Sequence, residues 1–168
     1  MTRPFESAPH PAAGARAGMP PGRKIRVLML EDRASDAELI LHELRRSGFE
    51  VECQRVDKEA DFIALLDPSI DIILADYSLP QFDGMRALER LQERMLDIPF
   101  IIITGTLGDE RAAQCIKRGV SDYLLKDRLE RLGLAVSNAL DERRLRAERK
   151  LLDEQLRQAQ KMEAIGQL

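Results

Sequence analysis

Five short apolar segments alternate with amphipathic segments across about one hundred residues, and this alternation restricts the fold more than any other feature of the sequence. The apolar segments are KIRVLML, FEVECQRV, DIILA, IPFIIIT and SDYLLK. Between them, apolar residues recur three and four positions apart, as they do on one face of a helix. Strands that alternate with helices in this way are typical of an α/β domain with a parallel sheet. We therefore predict a doubly wound α/β fold with a five-stranded parallel sheet.

The two ends of the chain differ in composition from the middle. Residues 1–22 contain five of the eight prolines and few large apolar residues, which predicts a disordered tail. Residues 23–140 hold the α/β pattern. Residues 141–168 contain no proline and carry a narrow apolar stripe in a charged background, formed by Leu145, Leu152, Leu156, Ala159 and Met162. This stripe favours a long helix that pairs as a coiled coil in a homodimer, although a solvated, partly frayed helix has the same pattern.

Composition excludes several classes of protein. The 26 basic and 29 acidic residues are spread along the chain and give a net charge of -3, which argues against a nucleic-acid-binding protein. No apolar run approaches the length of a membrane span, and the first residues lack a continuous apolar signal core. We therefore expect a cytoplasmic protein. Cys53 and Cys115 lie far apart in the sequence and are expected to be reduced core thiols.

Polar residues stand at the carboxyl ends of the predicted strands, where ligands bind in open parallel sheets. Glu31 and Asp32 follow the first strand, Asp76 follows the third, Thr104 ends the fourth and Lys126 ends the fifth. If the strand order is 2-1-3-4-5, these residues lie on neighbouring strands. Three carboxylates, one hydroxyl and one ammonium group would then meet at one edge of the sheet.

Three carboxylates at one edge repel one another and need a cation. All the candidate ligands are hard oxygens, with no histidine or cysteine among them, so Mg²⁺ suits the set better than zinc. An acidic Mg²⁺ site beside Thr104 and Lys126 is suited to a phosphoryl group. Asp76, at the centre, is the candidate nucleophile, because aspartate can form an acyl phosphate.

These residues also resemble a known family. The acidic pair at Glu31 and Asp32 and the segments ADYSLPQFDG, IIITGT and DYLLKD resemble the receiver domain of two-component response regulators, over about Lys24 to Leu140. The resemblance implies a flavodoxin-like sheet of order 2-1-3-4-5 that takes a phosphoryl group from a histidine kinase or a phosphotransfer protein. It also implies that the domain catalyses its own phosphorylation and dephosphorylation.

The resemblance assigns a role to each site residue. Asp76 is the phospho-acceptor. Asp32, Asp76 and the backbone carbonyl of Ser78 bind Mg²⁺ directly, and Glu31 does so through water. Lys126 contacts the phosphoryl group, and the switch pair consists of Thr104 and Tyr123.

Two residues depart from the commonest pattern of the family. Glu31 stands where aspartate is more usual, and it keeps the charge. Asp127 follows the lysine where receivers usually have proline. A non-proline cis peptide costs about 2.5–4 kcal/mol, so the sequence leaves open whether the Lys126–Asp127 bond is cis.

The C-terminal segment LRQAQKMEAIGQL resembles the stretch that enters the dimerisation helix of a histidine kinase. We therefore expect this chain to be the N-terminal receiver of a hybrid histidine kinase, in which residues 141–168 lead toward the dimerisation helix. A stand-alone response regulator with a helical dimerisation tail, or a pseudo-receiver that acts only as an interaction module, remains an alternative. A haloacid-dehalogenase phosphatase would need an acid where Ser78 stands, and the acidic EDRASD segment argues against a flavodoxin-type flavin carrier.

Overall fold

The computed structural model describes residues 22–106 and 108–166. Five strands, β1 to β5, alternate with helices α1 to α5, and a 3-10 turn at Leu129–Arg131 precedes the last helix. The strands are Arg23–Leu30, Phe49–Val56, Ile72–Asp76, Phe100–Thr104 and Asp122–Leu125. The helices are Ala34–Arg46, Glu59–Leu65, Gly84–Glu93, Asp109–Lys117 and Leu132–Gly166. The tail predicted over residues 1–22 lies outside the described residues, apart from Gly22.

All strand pairs in the sheet are parallel, in the order β2-β1-β3-β4-β5. The predicted doubly wound α/β fold with order 2-1-3-4-5 is therefore confirmed. Every residue of β3 and β4 is buried, because helices cover both faces of the sheet. One core contains Phe62, Phe82 and Phe100, and the core on the other face contains Ile40, Leu44 and Val136.

The start of α3 lies against the end of β3. Asp83 caps this helix, since its carboxylate accepts a hydrogen bond from the backbone N–H of Arg86 at 2.9 Å. A Cβ atom on Gly84 would lie 2.6 Å from the Ile102 side chain and 2.9 Å from the backbone oxygen of Asp76. Glycine is therefore needed here for the helix to approach the strand that carries Asp76.

The last helix, α5, is 35 residues long and has two parts. Its first part packs on the sheet through buried Leu132, Val136 and Leu140. Beyond residue 146 all of its described side chains are exposed. The predicted long C-terminal helix is confirmed, whereas its pairing as a coiled coil stays a prediction. No helix among the described residues is long and apolar enough to cross a membrane.

Two arginines fasten α5 to the edge of the domain opposite the carboxyl ends of the strands. Arg143 donates hydrogen bonds to the backbone oxygens of Ile70 at 2.8 Å and Asp71 at 3.2 Å, just before β3. Arg146 pairs with Asp97 at 3.0 Å, in the segment before β4. These contacts fix the direction in which the helix leaves the domain.

Candidate functional site

The structure brings the predicted acidic residues together at the carboxyl edge of the sheet. Glu31 follows β1 and is fully buried, Asp32 is exposed, and Asp76 is the buried last residue of β3. One carboxylate oxygen from each lies within 4.8 Å of those of the other two. Their convergence follows from the parallel register, which sets the ends of β1 and β3 side by side.

Lys126 neutralises part of this charge from the end of β5. Its ammonium nitrogen lies 2.7 Å from Glu31 Oε2, 2.7 Å from Asp36 Oδ2 and 2.7 Å from Asp76 Oδ2. Burial by itself would lower the pKa of Lys126, but the hydrogen bonds to the three carboxylates outweigh it and raise the pKa above its ordinary value. Lys126 is therefore charged at neutral pH.

Asp36 is a site residue that the sequence analysis missed. It lies in the first turn of α1, where the helix dipole favours a carboxylate. Its hydrogen bond to Lys126 lowers the pKa of the Asp36 carboxyl. The sequence shows an acid in the EDRASD segment but gives no sign that Asp36 reaches the lysine, which lies 90 residues further along the chain.

Backbone groups hold the carboxylates in place. The N–H of Ser78 donates to Asp76 Oδ1 at 2.9 Å, and the N–H of Arg33 donates to Glu31 Oε1 at 3.0 Å. Arg55, near the end of β2, donates to the backbone oxygen of Glu31 at 2.9 Å. Burial raises the pKa of the Glu31 carboxyl despite its bond to Lys126. The role of the Ser78 carbonyl as a metal ligand stays a prediction.

Thr104 and Tyr123, the predicted switch pair, share one hydrogen-bond acceptor. Thr104 is fully buried at the end of β4, and its hydroxyl donates to the backbone oxygen of Thr106 at 3.4 Å. The hydroxyl of Tyr123, on β5, donates to the same oxygen at 3.4 Å. Burial raises the pKa of Tyr123. Both bonds are longer than an ordinary O–H···O hydrogen bond, so each holds its hydroxyl only weakly on the Thr106 oxygen.

The loop after β5 differs from the commonest receiver pattern at its peptide bond. None of the peptide bonds in the described residues is cis, so the Lys126–Asp127 bond is trans. The backbone N–H of Lys126 donates to the oxygen of Thr104 at 2.8 Å, which links the ends of β4 and β5. With a trans peptide, Lys126 still reaches the carboxylate cluster.

The donor set fits a hard divalent cation. Glu31, Asp32 and Asp76 offer carboxylate oxygens, which are the ligands that Mg²⁺ prefers. The exposure of Asp32 leaves the cluster open to solvent on one side, and Mg²⁺ usually keeps several waters when a protein binds it.

Comparison with known proteins identifies the family. The sequence model of the response regulator receiver domain family matches residues 27–137 of this chain. The chain belongs to this family. Two-component response regulator ORR5 of Oryza sativa subsp. japonica is 30% identical over 111 residues, which cover 65% of this chain and 83% of the relative. Regulatory protein AtoC of Escherichia coli is 28% identical over 116 residues, 68% of this chain and 25% of AtoC.

Solved receiver structures share the fold. The signal receiver domain of a putative Luxo repressor protein from Vibrio parahaemolyticus matches with a TM-score of 0.65 and 25% identity, over 74% of this chain and 95% of that one. The Mn(2+)-bound form of response regulator Rcp1 matches with a TM-score of 0.55 and 26% identity, over 68% of this chain and 90% of that one.

Proposed function

We propose that this receiver domain is a phosphorylation switch in which Asp76 accepts a phosphoryl group from a phosphohistidine of a histidine kinase or phosphotransfer protein, or from a small phosphodonor. One observation carries the proposal. Asp76 ends the central strand β3, with one oxygen on the Lys126 ammonium and the other on a backbone N–H. A carboxylate held in this way, beside two further acids, has the orientation and the charged surroundings that phosphoryl transfer needs.

The transfer is a nucleophilic substitution at phosphorus. An Asp76 carboxylate oxygen forms the new O–P bond while the N–P bond of the phosphohistidine breaks, and the bonding pair remains on the imidazole nitrogen. The Ser78 N–H keeps the Asp76 carboxylate oriented, and the Lys126 ammonium compensates charge on the phosphoryl oxygens. Hydrolysis of the resulting acyl phosphate by water restores Asp76 and releases inorganic phosphate.

In this proposal Glu31, Asp32 and Asp76 hold Mg²⁺, with the backbone carbonyl of Ser78 as a further ligand. Mg²⁺, when bound, neutralises phosphoryl oxygens and so lowers the barrier to transfer. The carboxylate cluster supports a divalent cation at this position. Response regulator Rcp1, which shares the fold, has a Mn(2+)-bound form.

The switch works through Thr104 and Tyr123. A phosphoryl oxygen on Asp76 offers a stronger acceptor for the Thr104 hydroxyl than the backbone oxygen of Thr106, which it meets at 3.4 Å. We propose that Thr104 turns toward the phosphoryl group and that Tyr123 moves into the space it leaves. The surface formed by α4, β5 and α5 then changes.

The output passes through α5. We propose that residues 23–140 form the receiver and that residues 141–168 form a helical coiled-coil linker toward a histidine kinase dimerisation helix. The exposed apolar side chains of Leu145, Leu152, Leu156 and Met162 support pairing with a second copy in a homodimer. Dimerisation is tested by sedimentation of wild type and of Leu152→Lys. We expect a dimeric wild type and a monomeric variant, and a monomeric wild type would contradict the homodimer.

We also propose a cytoplasmic location. A histidine kinase makes its phosphohistidine from ATP, and the free thiols of Cys53 and Cys115 are compatible with a reducing compartment.

The proposed function is tested by intact-mass measurement after incubation with acetyl phosphate and Mg²⁺. We expect one added phosphoryl group on wild type, none on Asp76→Asn and none when EDTA replaces Mg²⁺. Asp153→Asn, an exposed acid on the far part of α5, is the matched control and should be phosphorylated like wild type. If neither acetyl phosphate nor a phosphohistidine donor labels wild type, the domain is a pseudo-receiver and the proposal is wrong.

A further inference from the structure

All three ammonium hydrogens of Lys126 are used in hydrogen bonds to carboxylates. A lysine ammonium has three hydrogens, and here they meet three oxygens at 2.7 Å each, from Glu31, Asp36 and Asp76. Under the proposed function, two of these acids have a second role, since Asp76 accepts the phosphoryl group and Glu31 helps to bind the cation. Asp36 lies outside that cluster within the described part of the chain. Among the described residues, the ion pair within 4 Å that Asp36 forms is the one with Lys126.

Before transfer, Asp76 is still a carboxylate, and an oxygen of the incoming phosphoryl group that meets Lys126 needs one of these three hydrogens. One carboxylate therefore has to release the lysine when the phosphodonor binds. Exposure of the side chains decides which one. The Glu31 side chain is 1% exposed and that of Asp76 is 10% exposed, whereas that of Asp36 is 20% exposed. A released carboxylate has to be rehydrated, and water reaches Asp36 most easily. The α1 N-terminus also stabilises its charge after release.

We infer that Asp36 is a positioning residue that holds Lys126 at the site in the unphosphorylated state and competes for it with the phosphoryl group of an incoming donor. This inference rests on the proposed function. Two effects of opposite sign follow from the same side chain. The negative charge of Asp36 favours binding of a divalent cation at the adjacent cluster. The same charge disfavours an anionic phosphodonor, because it repels the donor and occupies a lysine hydrogen.

Asp36→Asn tests both effects because it removes the negative charge with little change in the structure. The amide has the same shape as the carboxylate but no charge. We expect the half-saturating Mg²⁺ concentration of the unphosphorylated protein, measured by thermal stabilisation, to rise by about three- to fivefold. We expect the half-saturating acetyl phosphate concentration, measured by intact mass at saturating Mg²⁺, to fall by about the same factor.

Two further variants complete the test. Glu38→Gln removes the same charge from the exposed face of the same helix, and we expect both concentrations to change by less than about twofold, since distant exposed charges are screened. Asp36→Glu keeps the charge and should restore both concentrations toward the wild-type values.

The outcomes separate this inference from the proposed function. Opposite shifts in Asp36→Asn, reversed in Asp36→Glu, support the inference. If wild type is phosphorylated on Asp76 but Asp36→Asn shifts both concentrations in one direction or leaves both unchanged, the inference alone is overturned. If wild type takes no phosphoryl group, the proposed function fails and this inference fails with it.

Discussion

Lys126→Met removes the cation from the carboxylate cluster and keeps most of the length of the side chain. The variant leaves Glu31, Asp36 and Asp76 without their shared ionic partner. Removing one member of a buried ion pair costs ~3–5 kcal/mol of the free energy of unfolding. Because the Lys126 side chain is 19% exposed, water solvates part of the cluster. We therefore expect the lower end of that range, about 3 kcal/mol.

The assay is urea unfolding in EDTA, followed by circular dichroism, together with thermal melting. For a domain of this size, a loss of about 3 kcal/mol lowers Tm by about 10 °C. Lys117→Met is the matched control, since this lysine is exposed at the end of α4, and we expect it to change the free energy of unfolding by less than about 0.5 kcal/mol.

Mg²⁺ should rescue the variant. Lys126 occupies oxygens of Glu31 and Asp76 that the cation would use, so its removal strengthens Mg²⁺ binding. At 100 times its Kd, a ligand adds about 2.7 kcal/mol to the free energy of unfolding. A Lys126→Met protein that is as stable as wild type in EDTA, or that gains less from Mg²⁺ than wild type does, would refute this account of the cluster.

Three further predictions concern the scaffold. Gly84→Ala should lower the free energy of unfolding by about 1–3 kcal/mol in urea titrations, because the new methyl group meets the Ile102 side chain at 2.6 Å; an unchanged midpoint would mean that α3 can shift away. Arg143→Ala removes the bond to the Ile70 oxygen at 2.8 Å, so amide exchange before β3 should quicken, and unchanged exchange would contradict the fastening of α5. Burial raises the pKa of Cys53 from 9.0 to about 11. Because the unfolded chain loses this thiol proton at the lower pH, the contribution of Cys53 to the free energy of unfolding is fully present below pH 9 and is lost as the pH rises toward 11. Cys53→Ala should therefore lose less stability than wild type between pH 9 and pH 11, and equal losses would argue against that shift.

The sheet and most of the candidate site could be predicted because both depend on local patterns. Apolar runs such as DIILA become buried strands when helices cover both faces, and parallel strands bring their carboxyl ends to one edge. Asp76 and Lys126 therefore meet, although 50 residues separate them in the sequence.

The contacts of Asp36 and Arg143 could not be predicted, because they join residues that lie far apart in the sequence and no local pattern marks them. Asp36 has the sequence context of an ordinary acid in the first turn of a helix, and its role appears only once α1 is packed beside the end of β5. Arg143 likewise has the context of a charged residue on a solvated helix, whereas it binds backbone oxygens 72 and 73 residues earlier in the chain. Both contacts require the tertiary arrangement of α5, α1 and the sheet.

Identification of the modified side chain shows whether Asp76 is the residue that receives the phosphoryl group. Wild-type protein is treated with acetyl phosphate and Mg²⁺, reduced with borohydride, which converts an aspartyl phosphate to homoserine, and digested for peptide mass mapping. We expect homoserine at position 76 and unmodified acids at Asp32 and Asp36. Homoserine at another position, or no homoserine in a protein that had gained a phosphoryl group, would contradict it.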